Sequence, residues 1–599
     1  MDARASYAAG HDKRAREVEV HEGRSRTIGY LRLGTALGAI FLTGAIVWSP
    51  LPQQAWFGVA GLVVSFIALV VIHARVINAK EHATSALHFY ARGLDRLDGK
   101  WVEFPSTGES FETPNHPYSG DLDIFGRASL FQLLDATETR FGALRLALWL
   151  RGEHDGTFPT SVRSRQDAVK DLAPRLHFRE SLYAAGALLG AEKPDPEPFL
   201  KWASGEVTFA PGIFLPVLAR LLPICTIASI ALSSRLPHWT WVGFVALQLI
   251  VAAPFRAKVL EIAGSVSSRE HGFVRYGDML ELIENEPFES ALLKGAKASL
   301  AKTGVSATRE MASISRIIGF LDARNNEVFR LFIGPILMWD VNCVLALEAW
   351  RGRAGTHVRA WLEALGEVEA LASVAGLAFD RPEYAWPVLS ETPHFEATAL
   401  GHPLLSPEKR VNNDVTLAGR GEALIITGSN MSGKSTLLRA MGVNVVLALL
   451  GAPVCAVGLT LGELRVVTSM RIKDSLEEGV SHFYAELQKL KLVIDLARGD
   501  KTVFFLLDEI LHGTNTRERL IGARAIVREL LARGALGAVS THDLGIGDLE
   551  AELAGRARNV HFEEQVVDEK MTFDYKLREG LVQSSNALRL MKIVGIDVV

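Results

Sequence analysis

The chain has little cysteine. Cys225, Cys343 and Cys455 are its only three, far apart in 599 residues. No CxxC or Cys/His spacing occurs, so neither a disulfide framework nor a zinc site is expected, and a reducing compartment suits the soluble parts. Net charge is only −4, so no global basic field points to nucleic acid, and any such contact needs a local patch. There is no internal repeat and no low-complexity segment. The length implies roughly three or four domains.

Charge is missing altogether from Leu33 to Ile72, a run interrupted only by "SPLPQQ" at Ser49–Gln54. A spanning helix needs about 20 apolar residues, so two helices and a Pro-containing turn fit. Trp48 and Trp56 flank the turn, where interfacial aromatics sit. The late start and the second span set this run apart from a cleaved signal peptide. A second hairpin is expected further on. Val207–Ser234 has one charge, Arg220, and Leu236–Phe255 has none beyond His238. Arg220 either snorkels toward the interface or marks a re-entrant or interfacial segment.

Lys and Arg cluster in the N-terminal stretch (Arg4, Lys13, Arg14, Arg16, Arg24, Arg26), at Arg75 and Lys80, and at Arg256 and Lys258. The first turn has none and the second only Arg235. Both hairpins are therefore expected to dip in and return. That predicts a multi-pass protein of the cytoplasmic (inner) membrane, embedded through about four helices, with tail, core and C-terminal domain facing the cytoplasm. The spans lack acidic residues, which argues against ion-coupled transport.

The remainder divides by pattern. Ala79–Gly205 and Leu260–Ala378 read as mostly helical, with apolar spacing such as Leu130, Leu133, Leu134, Phe141, Leu144, Leu146 and Leu148. "DRPEYAWPVLSE" from Asp380 is a Pro-punctuated break. From about His394, "ALIIT", "TVFFLL" and "GALGAVST" read as buried parallel strands, each leading to a loop and helix.

"ALIITGSNMSGKSTLLRA" (Ala423–Ala440) then holds the most specific motif, G-x-x-x-x-G-K-[ST], from Gly428 to Ser435. Glycines let backbone amides curl around phosphate oxygens, Lys434 reaches the β- and γ-phosphates, and the Ser435 hydroxyl binds Mg²⁺. The nucleotide set is Gly428, Ser429, Asn430, Met431, Ser432, Gly433, Lys434, Ser435 and Thr436. The helix from about Ser435 points its positive end at the phosphates. "VFFLLDE" ends in Asp508, expected to hold Mg²⁺ through water, and Glu509, placed to polarise an attacking water. "VSTHD" closes a further strand. There His542 either senses the γ-phosphate or belongs to a plain capping region with Asp543 as the cap.

These residues carry a resemblance. "TGSNMSGKST" looks like the TGPNMGGKST loop of the MutS mismatch-repair ATPases, a branch of the ABC ATPase class. Asn430-Met431 is the telling pair, and Ser432 replaces a usual Gly, tolerable if its φ is negative. "LLDEILHGTNTRE" is similar to the family's LLDEIGRGTST, "STHD" to ATHY, and "EEGVSHFYAEL" to ASGRSTFMVEM. "ALGHPLL", "FDYKLREGLVQSSNALRLMKIVGI" and the helical stretches around Leu130 and Gly366 extend the likeness loosely to about two thirds of the chain. The resemblance implies ATP and Mg²⁺ as cofactors and a homodimer with composite sites, Ser481 reaching the partner's γ-phosphate in trans. It also implies DNA as a ligand.

The expected fold is an α/β P-loop (ABC-class) ATPase domain at the C-terminus, preceded by an all-α MutS-like lever core interrupted by transmembrane hairpins. The divisions are 1–26 basic tail, 27–76 first hairpin, 77–206 first core part, 207–256 second hairpin, 257–395 lever, and 396–599 ATPase domain.

Departures from the family temper the DNA expectation. Its N-terminal mismatch reader with a Phe-x-Glu motif has no room before Ala79. Phe178-Arg179-Glu180 matches the letters but falls inside the helical core. No connector module or nuclease is evident, and the C-terminal helix-turn-helix contact looks cut short. A short basic stretch, Lys294, Lys297, Lys302, Arg309 and Arg316, either binds DNA phosphates or is a solvated helix face. The expected function is a membrane-anchored MutS-like ATPase acting on mismatched or structured DNA, possible in repair. The alternatives are an ATP-driven transporter, against which the absence of an LSGGQ-like signature stands, and a nucleotide-gated scaffold for a protein partner.

Overall fold

The computed structural model describes residues 2–48, 52, 54–190, 193, 195–209, 212–237, 239–266, 272–301, 304–429, 431–470, 482–511, 515–567 and 570–582. Two very long helices open the chain, α1 (Ala3–Trp48) and α2 (Ala55–Leu97), paired as an antiparallel hairpin. At 1.5 Å per residue each runs about 65–70 Å, more than twice a hydrocarbon core of about 30 Å. The hairpin accordingly has two halves. Near the core the helices are tied by polar contacts, Lys80–Glu22 (3.4 Å), Ser25–His73 (3.0 Å) and Arg32–His73 (2.9 Å). Beyond Arg32 and His73 charge ceases, and large apolar side chains such as Phe41 and Phe57 stand 80% exposed.

The stretch 1–26 was expected as a tail; its residues 3–26 are instead the first half of α1, docked on the core. Tyr7 is fully buried, its hydroxyl donating to Asp380 (2.7 Å), and Arg14 pairs with Glu180 (2.5 Å). The apolar half was legible from its lack of charge. The docked half was not, because its partners lie hundreds of residues away.

The helical core forms around the return helix Val358–Asp380, which packs on Arg140–Leu150 and Thr160–Leu172. Trp149, Trp350 and Trp361 fill its interior. The apolar run from Leu130 is two helices, Leu130–Leu134 and Arg140–Leu150. Ser129 and Thr139 each accept a hydrogen bond from an amide three residues on, Gln132 (3.2 Å) and Gly142 (3.0 Å), so both act as N-caps and a second helix starts. Phe178, Arg179 and Glu180 are all buried in this core, with Phe178 edge-on to Phe288. That placement suits packing.

The second hairpin, Phe214–Ala231 and Thr240–Ala252, leaves the core between Glu197–Ser204 and Arg256–Val266. Among the described residues, four helices are apolar enough by length and composition to cross a membrane: α1, α2 and these two regions.

After Asp380 the chain becomes mixed α/β. A small sheet of order β1-β5-β2-β3 comprises β1 (Val388–Leu389), β2 (Phe395–Leu400), β3 (Asn413–Leu417) and β5 (Gly458–Leu461). The main sheet, of order β10-β9-β4-β8-β7-β6, comprises β4 (Ala423–Thr427), β6 (Arg465–Ser469), β7 (Val503–Asp508), β8 (Leu536–Thr541), β9 (Ala557–Val567) and β10 (Lys570–Glu579). β9, β4, β8, β7 and β6 run parallel, and β10 is antiparallel to β9. β4 and β8 are buried at every residue, as expected for strands covered on both faces.

Candidate functional site

In a parallel sheet all strands end on the same edge, and their following loops meet there. Three such loops converge here, after β4, β7 and β8. The first runs from Gly428 to Gly433 and enters helix Lys434–Leu450. Its backbone is forced: φ is +149° at Gly428, +68° at Met431 and +105° at Gly433. A Cβ on Gly433 would stand 3.1 Å from the Tyr575 ring in a backbone state that side chains resist. Ser432 is absent from the positive-φ residues, so the replacement of Gly fits. Met431 is 85% exposed, while the Ser429 and Ser432 hydroxyls are buried without a hydrogen-bond partner among the described residues. Orphaned donors beside a helix N-terminus suit an anionic ligand. Ser435 and Thr436 occupy the first turn and line the same cavity. Asn430 and Ser481 lie outside the described residues.

Lys434 is buried and donates to the carbonyls of Gly428 (2.8 Å) and Ser429 (2.9 Å). Burial lowers its pKa from the ordinary lysine value, against the pull of the Glu509 carboxylate 3.5 Å away. Glu509 sits at φ +49° just past β7, its amide held by the Ser540 carbonyl (3.1 Å) and hydroxyl (3.2 Å). Asp508 accepts from the Ser540 hydroxyl at the end of neighbouring β8. His542 donates from Nδ1 to the Gly428 carbonyl (3.1 Å), and its Nε2 contacts the Glu509 carboxylate. The alternative for this stretch is also realised, because Asp543 accepts from the Gly545 amide (3.0 Å) and caps the following turn. The fold thus assembles a cation, a carboxylate and an imidazole around one loop, a set that can neutralise anionic oxygens and orient a water molecule.

A cavity of about 750 Å³ adjoins the loop. Lys434, Ser435 and Glu509 line one part, and Phe562, Tyr575 and His402 another. Burial, then the charge of Arg439, pushes His402 down to about 4, so it is a neutral wall. Tyr575 has φ +53° and is held by Asn413, which donates to its carbonyl (3.0 Å) and accepts from the Leu577 amide (2.8 Å). An aromatic ring beside such a loop can stack on a planar base. Tyr575 and Asn413 were not assigned by sequence. The signal was the aromatic of "FDYKLREG", but nothing in the string places it against Gly433.

The basic residues expected at a DNA surface divide between helices. Lys294 and Lys297 lie on Ala291–Ser299, and Arg309 and Arg316 on Ala307–Asp322; Lys302 lies outside the described residues. Lys297 is engaged internally, donating to the Glu286 carbonyl (2.9 Å), while Lys294, Arg309 and Arg316 are exposed. No group of three or more His, Cys, Asp or Glu able to hold a metal occurs among the described residues.

The site is coupled to the helical core. Asp121 accepts from Thr468 (2.8 Å), the Met470 amide (3.1 Å) and Lys489 (3.2 Å), joining the core to β6 and helix His482–Ala497. Arg165 of the core donates to the carbonyls of Leu449 (2.7 Å) and Leu450 (3.1 Å), capping the far end of the helix that begins at Lys434.

This arrangement of loop, strands and helix belongs to a recognisable class. Residues 424–598 match the family described as MutS domain V. Along 539 residues, 80% of this chain, it is 25% identical to the DNA mismatch repair protein MSH3 of Phaeosphaeria nodorum, covering 47% of that protein. Along 251 residues, 41% of this chain, it is 33% identical to the DNA mismatch repair protein MutS 2 of Halobacterium salinarum, covering 28% of that protein. The chain therefore spans less than half the length of these curated relatives. With its helical core and domain V, it is a MutS-family protein.

Proposed function

We propose that the chain is a membrane-anchored, Mg²⁺-dependent MutS-type ATPase of the P-loop (ABC) class that couples ATP binding and hydrolysis to DNA. The observation that carries this is the meeting of Lys434, Glu509 and His542 at the Gly428–Gly433 loop. Residues 428–436 would hold the triphosphate, and Phe562 and Tyr575 would flank the base. Ser435 and Asp508 would hold Mg²⁺, which supplies charge neutralisation at the phosphates. Glu509 would orient water and His542 would sense the γ-phosphate. Ser481 of the partner subunit would complete each site in a homodimer.

The DNA assignment rests on the relatives, both named as mismatch repair proteins. The exposed Lys294, Arg309 and Arg316 supply phosphate-binding charge. Four apolar helices among the described residues support the membrane assignment, and the Lys and Arg distribution supports a cytoplasmic side for the soluble parts.

The test is the ATPase rate of the solubilised protein with single-stranded, duplex, mismatched and four-way-junction DNA, at two salt concentrations, with Glu509→Ala as the blank. Stimulation by one DNA form that fades at high salt is expected. A rate abolished by the substitution yet indifferent to every DNA overturns the DNA part and leaves the ATPase.

A further inference from the structure

The second hairpin is polar inside and apolar outside. Thr226, Ser229 and Gln248 are buried, while Phe214, Ile224 and Ile250 are exposed. Water favours the reverse order, since exposed apolar surface is unfavourable and buried polar groups need partners. The buried donors find them: Thr226 donates to the Leu222 carbonyl (2.9 Å), Ser229 to the Thr226 carbonyl (2.7 Å) and Gln248 Nε2 to Thr226 (3.0 Å).

A stretch of the core joins this hairpin. Between helices Ala307–Asp322 and Trp339–Ala354 the chain makes a π-helical turn at Phe329–Ile333 and a short turn at Gly334–Ile336, then bends by 69°. Pro335 has no N–H, and Met338 adopts φ +47°, so regular helix cannot continue. The carbonyl bonds lost to irregularity are replaced across the two parts. Pro223 cannot donate to the Ala219 carbonyl, and Asn342 of the core does so instead (2.9 Å). The Ile336 carbonyl, next to the bend, accepts from Gln248 of the hairpin (3.1 Å).

These bonds also fix a depth. Gln248 lies one turn before the end of Thr240–Ala252, and Ala219 little more than a turn after the start of Phe214–Ala231. At 1.5 Å per residue that is about 6–8 Å inside the hairpin. In the stretch that leads to the bend, Val328, Leu331, Phe332 and Ile333 are exposed, as is Phe320 at the end of the preceding helix. Arg330 is exposed among them and pairs with Glu327 (3.7 Å). An apolar face buried about 5–10 Å with basic residues at the headgroups is how interfacial segments sit in a bilayer.

We infer that residues 320–338 form a further membrane-inserting element, a re-entrant wedge that enters the lipid leaflet on the side of the soluble core. This rests on the membrane anchoring proposed above. Lipid is the occupant because the apolar exposure covers both hairpin helices and the wedge, and because Thr226, Ser229 and Gln248 are turned inward while the exposed charges, Arg220, Glu327 and Arg330, are few enough to reach the headgroups. It follows that helices Ala307–Asp322 and Trp339–Ala354 end in the bilayer, so motion of the core is felt by lipid directly.

The test places a photoreactive benzoyl-phenylalanine at Phe332, or at Leu331 as a second position, in the full chain. Ile40 of the first hairpin and Ile521 of domain V serve as references. Each variant is purified as a folded species and reconstituted in vesicles of phosphatidylethanolamine and phosphatidylglycerol, and lipid adducts are read by mass spectrometry. Adduct at Phe332 and Leu331 comparable to Ile40, with background at Ile521, is expected. Adduct at Ile40 with background at both wedge positions overturns the wedge and leaves the anchoring intact. Background at Ile40 overturns the anchoring and the wedge together. Crosslinks from Phe332 to protein rather than lipid also overturn the wedge.

Discussion

Asp380 and Glu509 are both acidic residues held against basic partners, and their surroundings differ in kind. Asp380 ends the return helix, and both of its carboxylate oxygens are engaged: Arg96 donates at 2.6 Å, the Tyr7 hydroxyl at 2.7 Å, and Arg96 donates also to that hydroxyl at 3.1 Å. Burial, aided by Asp380, pushes Tyr7 up to about 12, so this hydroxyl stays a donor. Glu509 shares its contacts with Lys434 and His542 on a left-handed backbone and lines a large cavity with Ser432, whose hydroxyl lacks a partner among the described residues. A charge cluster that is fully satisfied holds elements together. One that leaves donors open beside a cavity is poised for a ligand.

The comparison can be broken most sharply at Glu509. Glu509→Gln should lower ATP hydrolysis by about 10²–10⁴-fold, the usual range for a lost general base, with the melting temperature and ATP binding retained. Steady-state turnover beside nucleotide titration and thermal melts reads this. Asp380→Asn should do the converse. Removing one partner of a buried ion pair costs about 3–5 kcal/mol, so denaturant unfolding should shift while turnover per folded molecule stays. Lost turnover at unchanged stability would assign Asp380 to the site and dissolve the contrast.

Glu369 sharpens the comparison from a third side. It is a buried carboxylate that accepts from the Glu138 amide (2.9 Å) and the Thr139 amide (3.2 Å), and burial pushes it up to about 7. The folded state then keeps a proton that the unfolded chain has lost between about pH 4.5 and 7. Stability from this group is full below that window and falls as pH rises through it. Melting temperatures at pH 5 and 7.5 should differ more for the wild type than for Glu369→Gln.

The smallest expected effect is at Tyr575. Tyr575→Ala should weaken ATP binding by about 1–3 kcal/mol, the scale of a lost base–aromatic stack, and Tyr575→Phe should leave it nearly unchanged. Equal loss in both variants would show that the hydroxyl matters rather than the ring.

Much of the candidate site was legible before any coordinates. "ALIIT", "TVFFLL" and "GALGAVST" are largely apolar because parallel strands are covered on both faces, and they contain β4, β7 and β8. The loop from Gly428 was legible because its backbone demands glycine at set positions. The break after Leu134 was missed because apolar spacing continues across it, and two side-chain caps decide the matter. The docking of residues 3–26 was missed for a different reason: Tyr7 meets a partner 373 positions away.

The sequence alone determined which segments are apolar enough to leave water and which strand-ending residues carry chemistry, because both follow from local composition and spacing. Only the tertiary structure decided that His542 faces Glu509, that Tyr575 lines the cavity, that Asp380 locks the first hairpin to the return helix, and that Ile336 and Asn342 share bonds with the second hairpin. Those relations join chain segments far apart in sequence. They arise because buried donors and acceptors must be paired wherever the packed fold brings them together.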